Sequence, residues 1–410
     1  MHTKWLPTLV FGLLTGITGC GSSTPAPEAS NSGGTGGSTA ATGGSATGGS
    51  STGGSATGGS ATGGTASGGT ASGGTASGGT SSGGMAAGGM PAGGSSGSGG
   101  GGGAGGKSAV LPSKGCSVAD GLKTLTMGGM SVASALPTST RLKITSGGMS
   151  REYVLDVPAD YNPTHPYRLI FSWHQAYGSD TGNANGLHPA NDGPNFDATN
   201  YAFFGLHREA AAANESVIFV APGGIGNLPW DFTRDSVLFD DLLALVDANL
   251  CIDDNRVFST GFSFGAMMSY ALSITRQNKL RAVVAMAAAN YALPGEPTDS
   301  NTAPVAYMGT TGMSDTTCPW GSDTMGGKAC NLQHARDNGC TIPASITTTT
   351  AGSKKFVCYD FEGCRAGYPV KACTFDGGHT PSAVDDGNST GDDGLKAFVP
   401  PLAWKFISQF

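Results

Sequence analysis

From about Cys116 to Phe410 the chain alternates short apolar runs with stretches of helical periodicity. Residues 141–144 and 151–157 flank Ser146-Gly147-Gly148, which predicts a β-hairpin opening a sheet. Residues 167–174 form a near-continuous apolar run, as expected of a central strand buried on both faces. Residues 205–214 read as helix and 216–222 as the next strand. Val237, Leu238, Leu242, Leu245 and Val246 recur at helical spacing, so a helix over 237–250 is expected to pack them against the sheet. Further strands are predicted before Gly261 and at 281–287, 304–309 and 370–375. A terminal helix over 395–410, carrying Phe398, Leu402, Trp404, Phe406 and Ile407, is expected to cover one sheet edge. Strands alternating with helices predict an α/β domain whose sheet is mostly parallel, with its site at the strand carboxyl ends.

Upstream the pattern collapses. The chain has 69 glycines, and residues 21–107 are almost wholly Gly, Ser, Thr and Ala, with the period Thr-Ala-Ser-Gly-Gly over 65–79. Such a tract buries too little apolar surface to offset backbone entropy. Residues 21–107 are therefore expected to be a disordered linker spanning on the order of 50 Å, either a spacer from an anchor or a cleavable segment. Lys4 and the apolar stretch from Trp5 to Ile17 make a signal-type segment too short for a stable membrane span. Ile17-Thr18-Gly19-Cys20 resembles a bacterial lipobox, which would make Cys20 the lipidated residue; the alternative is an ordinary signal cleaved nearby. Either way residues 1–20 predict export. The protein would sit lipid-anchored at the cell envelope, touching membrane only through that lipid, or be secreted.

Nine cysteines less Cys20 leave 116, 251, 318, 330, 340, 358, 364 and 373. An even set in an exported domain predicts up to four disulfides among 105 pairings. Six of them fall between Cys318 and Cys373 and are expected to staple Gly-rich loops around the site. No Cys-x-x-Cys pair or matching histidine spacing supports zinc, so no metal is expected. The net charge is −7 and the Lys and Arg residues are scattered, which argues against nucleic acid. Residues 116–410, about 295 in all, suit one substantial core. The domain is expected to work as a monomer without a cofactor.

The chemistry centres on Gly261-Phe262-Ser263-Phe264-Gly265. Gly-x-Ser-x-Gly also occurs around Ser51, Ser81 and Ser95, but only the copy at Ser263 follows a β-branched and aromatic run and precedes a helical pattern. That context predicts the nucleophile elbow of an α/β-hydrolase, with Ser263 raised above the sheet and the Phe264 amide facing a developing oxyanion. The second oxyanion amide is expected from Gln175 or Ala176, in the loop after the 167–174 strand. His174 at that strand end reads as a residue ordering the loop, with general base as its alternative. In the hydrolase order nucleophile, acid, histidine, Asp315 follows the 304–309 strand, with Asp323, Asp337, Asp360 and Asp376 as rivals. His379, on a glycine-freed loop after the last strand, is the expected base. Trp230 and Tyr177 are candidates for an aromatic slot, or else ordinary core and loop aromatics.

The order Leu250-Cys251-Ile252-Asp253, Arg256-Val257-Phe258, Gly261 to Gly265 and Met268-Ser269-Tyr270, then Asn338-Gly339-Cys340 and Phe375-Asp376-Gly377-Gly378-His379, resembles secreted feruloyl esterases. Their group also holds acetylxylan esterases and polyhydroxybutyrate depolymerase-like proteins. The resemblance covers about 116–410. It implies a serine esterase cleaving hydroxycinnamate esters from plant cell-wall polysaccharide such as xylan, with Ser263, Asp315 and His379 at the triad positions. Relatives often carry Gly where this chain has Gln175, and His-Gly where it has Thr311-Gly312. The alternatives are an acetylxylan esterase, a depolymerase acting on a polyester, and a non-catalytic surface lipoprotein that binds polysaccharide.

Overall fold

A computed structural model describes residues 109–118, 126–127, 130–131, 139–185, 201–290, 303–381, 383 and 397–410. The expected signal segment with Cys20, the 21–107 tract and Leu395 lie outside the described residues. The opening hairpin forms as β1 (Ser139–Ser146) and β2 (Met149–Asp156). It turns through Gly147 and Gly148 at φ +55° and +79°, a left-handed backbone that residues with side chains avoid. After it come β3 (Tyr167–Trp173), α1 (Asp180–Asn185), α2 (Leu206–Ala212), β4 (Val217–Pro222), α3 (Phe232–Asn249), β5 (Ile252–Phe262) and α4 (Phe264–Thr275). The last third supplies β6 (Ala282–Met286), β7 (Ala306–Gly312), α5 (Gly327–Asp337), β8 (Phe356–Asp360), β9 (Val370–Phe375) and α6 (Val399–Ser408).

The nine strands form one sheet in the order β8-β9-β7-β6-β5-β3-β4-β2-β1. The six from β9 to β4 are mutually parallel, and β8, β2 and β1 join at the two edges through antiparallel pairings, β8 and β2 running against the six and β1 with them. From β3 the chain steps outward to β4, then crosses back to β5 and proceeds the other way. The order therefore reverses between β3 and β5, the place where open α/β sheets leave a crevice at their carboxyl ends.

Alternation within the apolar runs builds two cores. Leu169, Phe171 and Trp173 of β3 face the α3 and α4 side, while Ile170 joins the opposite core with Phe219, Phe258 and α6. Three expectations change. The α3 helix starts five residues before Val237, because the Asp231 side chain caps it by accepting from the Thr233 and Arg234 amides. Its buried face then runs through Phe232, Leu238, Phe239, Leu242 and Val246, and Val237 turns outward at 40% exposure. Strand β5 reaches back through the polar Asp253-Asp254-Asn255. There buried Asp253 accepts from the Leu111 and Asn255 amides and pairs with Arg256. Finally, α6 covers the middle of a sheet face rather than an edge: Trp404, Phe406 and Ile407 pack with Phe258, Val284 and Met308.

Three disulfides form among the described residues: Cys116–Cys251, Cys340–Cys364 and Cys358–Cys373. The last joins directly opposed residues of β8 and β9. Cys318 and Cys330 are buried and stand outside these three bonds. The crosslinks of the last third thus fasten the sheet edge that carries β9 more than they staple loops over the site.

Candidate active site

Ser263 sits where β5 ends and α4 begins, at φ +54° and ψ −121°, a backbone that a serine holds only under constraint. The constraint is close packing on both sides of the turn. A Cβ added at Gly265 would lie 1.9 Å from the Trp173 carbonyl oxygen, and one at Gly261 would lie 2.4 Å from the Gly265 carbonyl oxygen. Only glycine at both positions lets strand, helix and the end of β3 converge. The Ser263 amide donates to the Met286 carbonyl at 2.9 Å, tying the turn to β6.

The structure brings Asp315 and His379 to this serine. His379 lies after β9 and Asp315 after β7, which neighbours β9 in parallel register. The two loops are sewn together by Met313 and Ser314 amides donating to the Phe375 and Gly377 carbonyls. Gly312 is needed there, since a Cβ would fall 2.3 Å from the Gly378 carbonyl oxygen. His379 Nδ1 donates to Asp315 Oδ2 at 2.7 Å, and its Nε2 accepts from Ser263 Oγ at 2.8 Å. The carboxylate's other oxygen accepts the Thr317 and Cys318 amides, both at 2.8 Å, so Asp315 is held in one orientation. The imidazole lies against the Phe262 ring at 4.7 Å. Such an arrangement can pass the serine proton to Nε2 while the carboxylate steadies the imidazolium.

The rival acids are engaged elsewhere. Asp323 pairs with Lys328, Asp360 with Lys371, and Asp337 accepts from Gln333. Asp376 accepts the Gly352 and Lys354 amides, which hold its carboxyl below the usual range. His334 is buried against Tyr307 and bonded to Ser273. His207 pairs with Asp156, which raises its imidazole above the ordinary value.

The loop after β3 runs beside the elbow, because Gly265 abuts both the Trp173 and His174 carbonyls. His174 is buried, which pushes its imidazole down and keeps it neutral. Its Nδ1 donates to the Gln175 carbonyl at 2.9 Å and its Nε2 accepts the Gly224 amide at 3.0 Å, so the ring is a strut. Gln175 is buried, Ala176 half-buried, and the Gly178 amide closes the turn on the Gln175 carbonyl. Phe264 opens α4, where a helix amide has no acceptor within its own helix. Trp230 is 4% exposed and its indole N–H donates to the His174 carbonyl, so its ring supports the loop from below. Tyr177 is 64% exposed.

Sequence reasoning missed the brace behind this loop. Arg151 of β2 pairs with Asp235 in the first turn of α3 and donates to the Gly223 carbonyl at 2.8 Å. Both ionic partners are fully buried. An arginine that strand alternation places on one face with Tyr153 and Leu155, with an acid in the first turn of the coming helix, was the available signal. No cluster of metal-ligating side chains occurs among the described residues, and no described helix is long and apolar enough to cross a membrane.

The phospholipase/carboxylesterase family model matches residues 236–329, the stretch from α3 through the elbow to α5. With the sheet order and the strand-turn-helix at Ser263, the match defines an α/β-hydrolase that hydrolyses carboxylic esters. The chain is 33% identical over 297 residues to an Aspergillus terreus protein described as a probable feruloyl esterase C, spanning 70% of this chain and 97% of that one. It is 31% identical over 305 residues to feruloyl esterase D of Neurospora crassa, spanning 74% and 92%. The chain belongs to the feruloyl esterase family of these proteins. A solved ferulic acid esterase overlays 66% of this chain and 98% of its own at 14% identity and a TM-score of 0.42, and the assignment does not rest on it.

Proposed function

We propose that this protein is an exported serine esterase that releases hydroxycinnamic acids from plant cell-wall polysaccharide, with Ser263, His379 and Asp315 as its catalytic triad. The observation that carries the reading is the unbroken relay Asp315–His379–Ser263, at 2.7 and 2.8 Å, on a strained strand-to-helix turn. Ser263 attacks the ester carbonyl as His379 takes its proton, and the imidazolium then protonates the departing sugar alcohol. Water, deprotonated by His379, frees the acid. The Phe264 amide and one from Gln175 or Ala176 stabilise the oxyanion, each donor contributing about 3 kcal/mol to the lowered barrier. Tyr177 stands at the rim as a contact for substrate, while Trp230 acts through the loop it supports. No step requires a cofactor.

Export rests on residues 1–20, with Cys20 as the lipid attachment point and 21–107 as the tether that lets a domain beginning at 116 reach an insoluble polymer. The feruloyl esterase names of the fungal relatives favour the hydroxycinnamate reading over polyester cleavage. The test is acid release from methyl ferulate, acetylated xylan and hydroxybutyrate oligomers by the oxidised full chain and by Ser263→Ala. Ferulate release by the wild type, with at least a 1000-fold loss in the variant, is the expected result. Activity confined to another ester and lost in Ser263→Ala keeps the triad and moves the substrate. A folded wild type as silent as the variant on all three esters sinks the proposal.

A further inference from the structure

Beyond the ends of β3 and β4 lies a cavity of about 310 Å³, at the small end of the range for ligand pockets. Its walls come from the β1–β2 hairpin, the 174–180 segment and Gly223 to Ile225, and none of Ser263, Asp315 and His379 lines it. It shares His174 and Gly178 with the loop whose Trp173 and His174 carbonyls pack on Gly265 of the elbow, so the cavity and the elbow border one loop.

The wall chemistry is specific. Arg141 donates Nε to Asp180 Oδ2 at 3.0 Å and Nη2 to Asp180 Oδ1 at 3.2 Å, and it meets Glu152 at 2.5 Å. Lys143, directly across from Glu152 in the hairpin, pairs with it at 3.5 Å. Arg151 also lines the cavity, but its charge is met by buried Asp235 behind the wall, and the remaining two cations and two carboxylates cancel, so this rim has little excess charge to collect an ion. Each retains hydrogen-bonding capacity, because a carboxylate offers about four acceptor sites and a guanidinium five donors. Mutual pairing holds these groups in a fixed alternation of donor and acceptor, which suits the neighbouring hydroxyls of a sugar ring. Ile225 is the one aliphatic side chain among the described lining residues, and no aromatic slot for an acyl ring is present there. Tyr177, whose amide donates to the Asn227 carbonyl at 2.8 Å, sets an exposed ring on the same pair of loops.

We propose that this cavity is a subsite for a neutral sugar unit of the ester's alcohol half, held through its hydroxyls by Arg141, Lys143, Glu152 and Asp180. The proposal rests on the esterase reading given above and names the part of the substrate that the triad does not touch. Lys143→Gln combined with Glu152→Gln tests it. These two are cross-strand partners at 63% and 36% side-chain exposure, and Arg141, which also meets Glu152, keeps its two bonds to Asp180, so removing both strands no buried charge and costs little stability. In the oxidised full chain, kcat/KM for a feruloylated xylo-oligosaccharide should fall about tenfold further than kcat/KM for methyl ferulate, with the difference in KM. Equal losses on both esters, or an unchanged ratio, overturn the subsite. Calorimetric titration of neutral xylotetraose into Ser263→Ala provides a readout independent of turnover. Saturable binding, weakened about tenfold by the paired substitution, is expected. No binding, or a preference for glucuronate-bearing oligosaccharide, overturns the proposal. If the wild type cleaves no ferulate ester yet the titration behaves as expected, the esterase reading fails while the sugar subsite stands.

Discussion

Ser263 keeps its left-handed backbone because two glycines admit the Trp173 carbonyl into the turn, and its hydroxyl meets a histidine already oriented by a fully buried carboxylate. Asp315→Asn should leave the fold intact and lower kcat by about 10³ to 10⁴, since the amide favours the wrong tautomer; steady-state rates beside circular dichroism would check this. His334 makes a different prediction. It is completely buried, and desolvation pushes it down to about 3. Unfolded, it titrates near 6.5, so between those values the unfolded chain binds a proton that the folded chain refuses. Above pH 6.5 it contributes nothing to the pH dependence; below, it removes about 1.4 kcal/mol of stability per pH unit of acidification. Urea unfolding between pH 4 and 8 should therefore show a shallower acid limb in His334→Gln. That Ser263, Asp315 and His379 would meet, as they do at 2.7 and 2.8 Å, was legible because each followed an apolar run in the hydrolase order. The burial of Trp230 was not, because an aromatic in a loop carries no periodicity to say which way it faces.

Elements converge on the elbow through backbone, and this is where substitution should be least forgiving. Gly265→Ala places a methyl group against the Trp173 and His174 carbonyls, with no flexible side chain to yield. A stability loss of about 1 to 3 kcal/mol is expected, with a larger proportional fall in kcat than in KM, measured by thermal melts and ester kinetics. The Arg151–Asp235 pair braces the same loop from beneath and suits a double-mutant cycle. Asp235→Leu alone should cost about 3 to 5 kcal/mol by stranding the buried Arg151 charge, Arg151→Met less because Asp235 keeps Arg234 and the Asp231 amide, and the two together less than the sum. Strand and helix identities were readable wherever hydrophobic periodicity was continuous, as in β3, β4 and β9. It failed at the start of α3, where a capping aspartate and a buried ion pair replace apolar residues, and at the start of β5, where buried Asp253 is satisfied by backbone amides. Polar groups bonded inside the protein look like surface in a sequence.

At the scale of the whole molecule, the parallel centre of the sheet is closed at both edges by antiparallel strands, and disulfides bind its outlying parts. Cys116–Cys251 ties the segment before the hairpin to the start of β5 across a separation of 135 residues. Replacing both cysteines by serine should lower the unfolding free energy by about 2 to 5 kcal/mol, read from denaturant curves under oxidising conditions. Fold class was legible from the alternation of strands and helices, whereas the pairing of cysteines depends on distances that only the folded sheet sets. The layout of the site along the chain has a consequence for how the protein is made. The residue with which His379 shares its Nε2 hydrogen bond lies 116 positions earlier, and the loop bearing His379 is delivered by β9, which Cys358–Cys373 locks to its neighbour. A chain emerging from its amino end thus carries Ser263 well before Asp315 and His379 have been made. Under the mechanism proposed above the serine has no base until the last third has docked, so acyl transfer would report a completed domain.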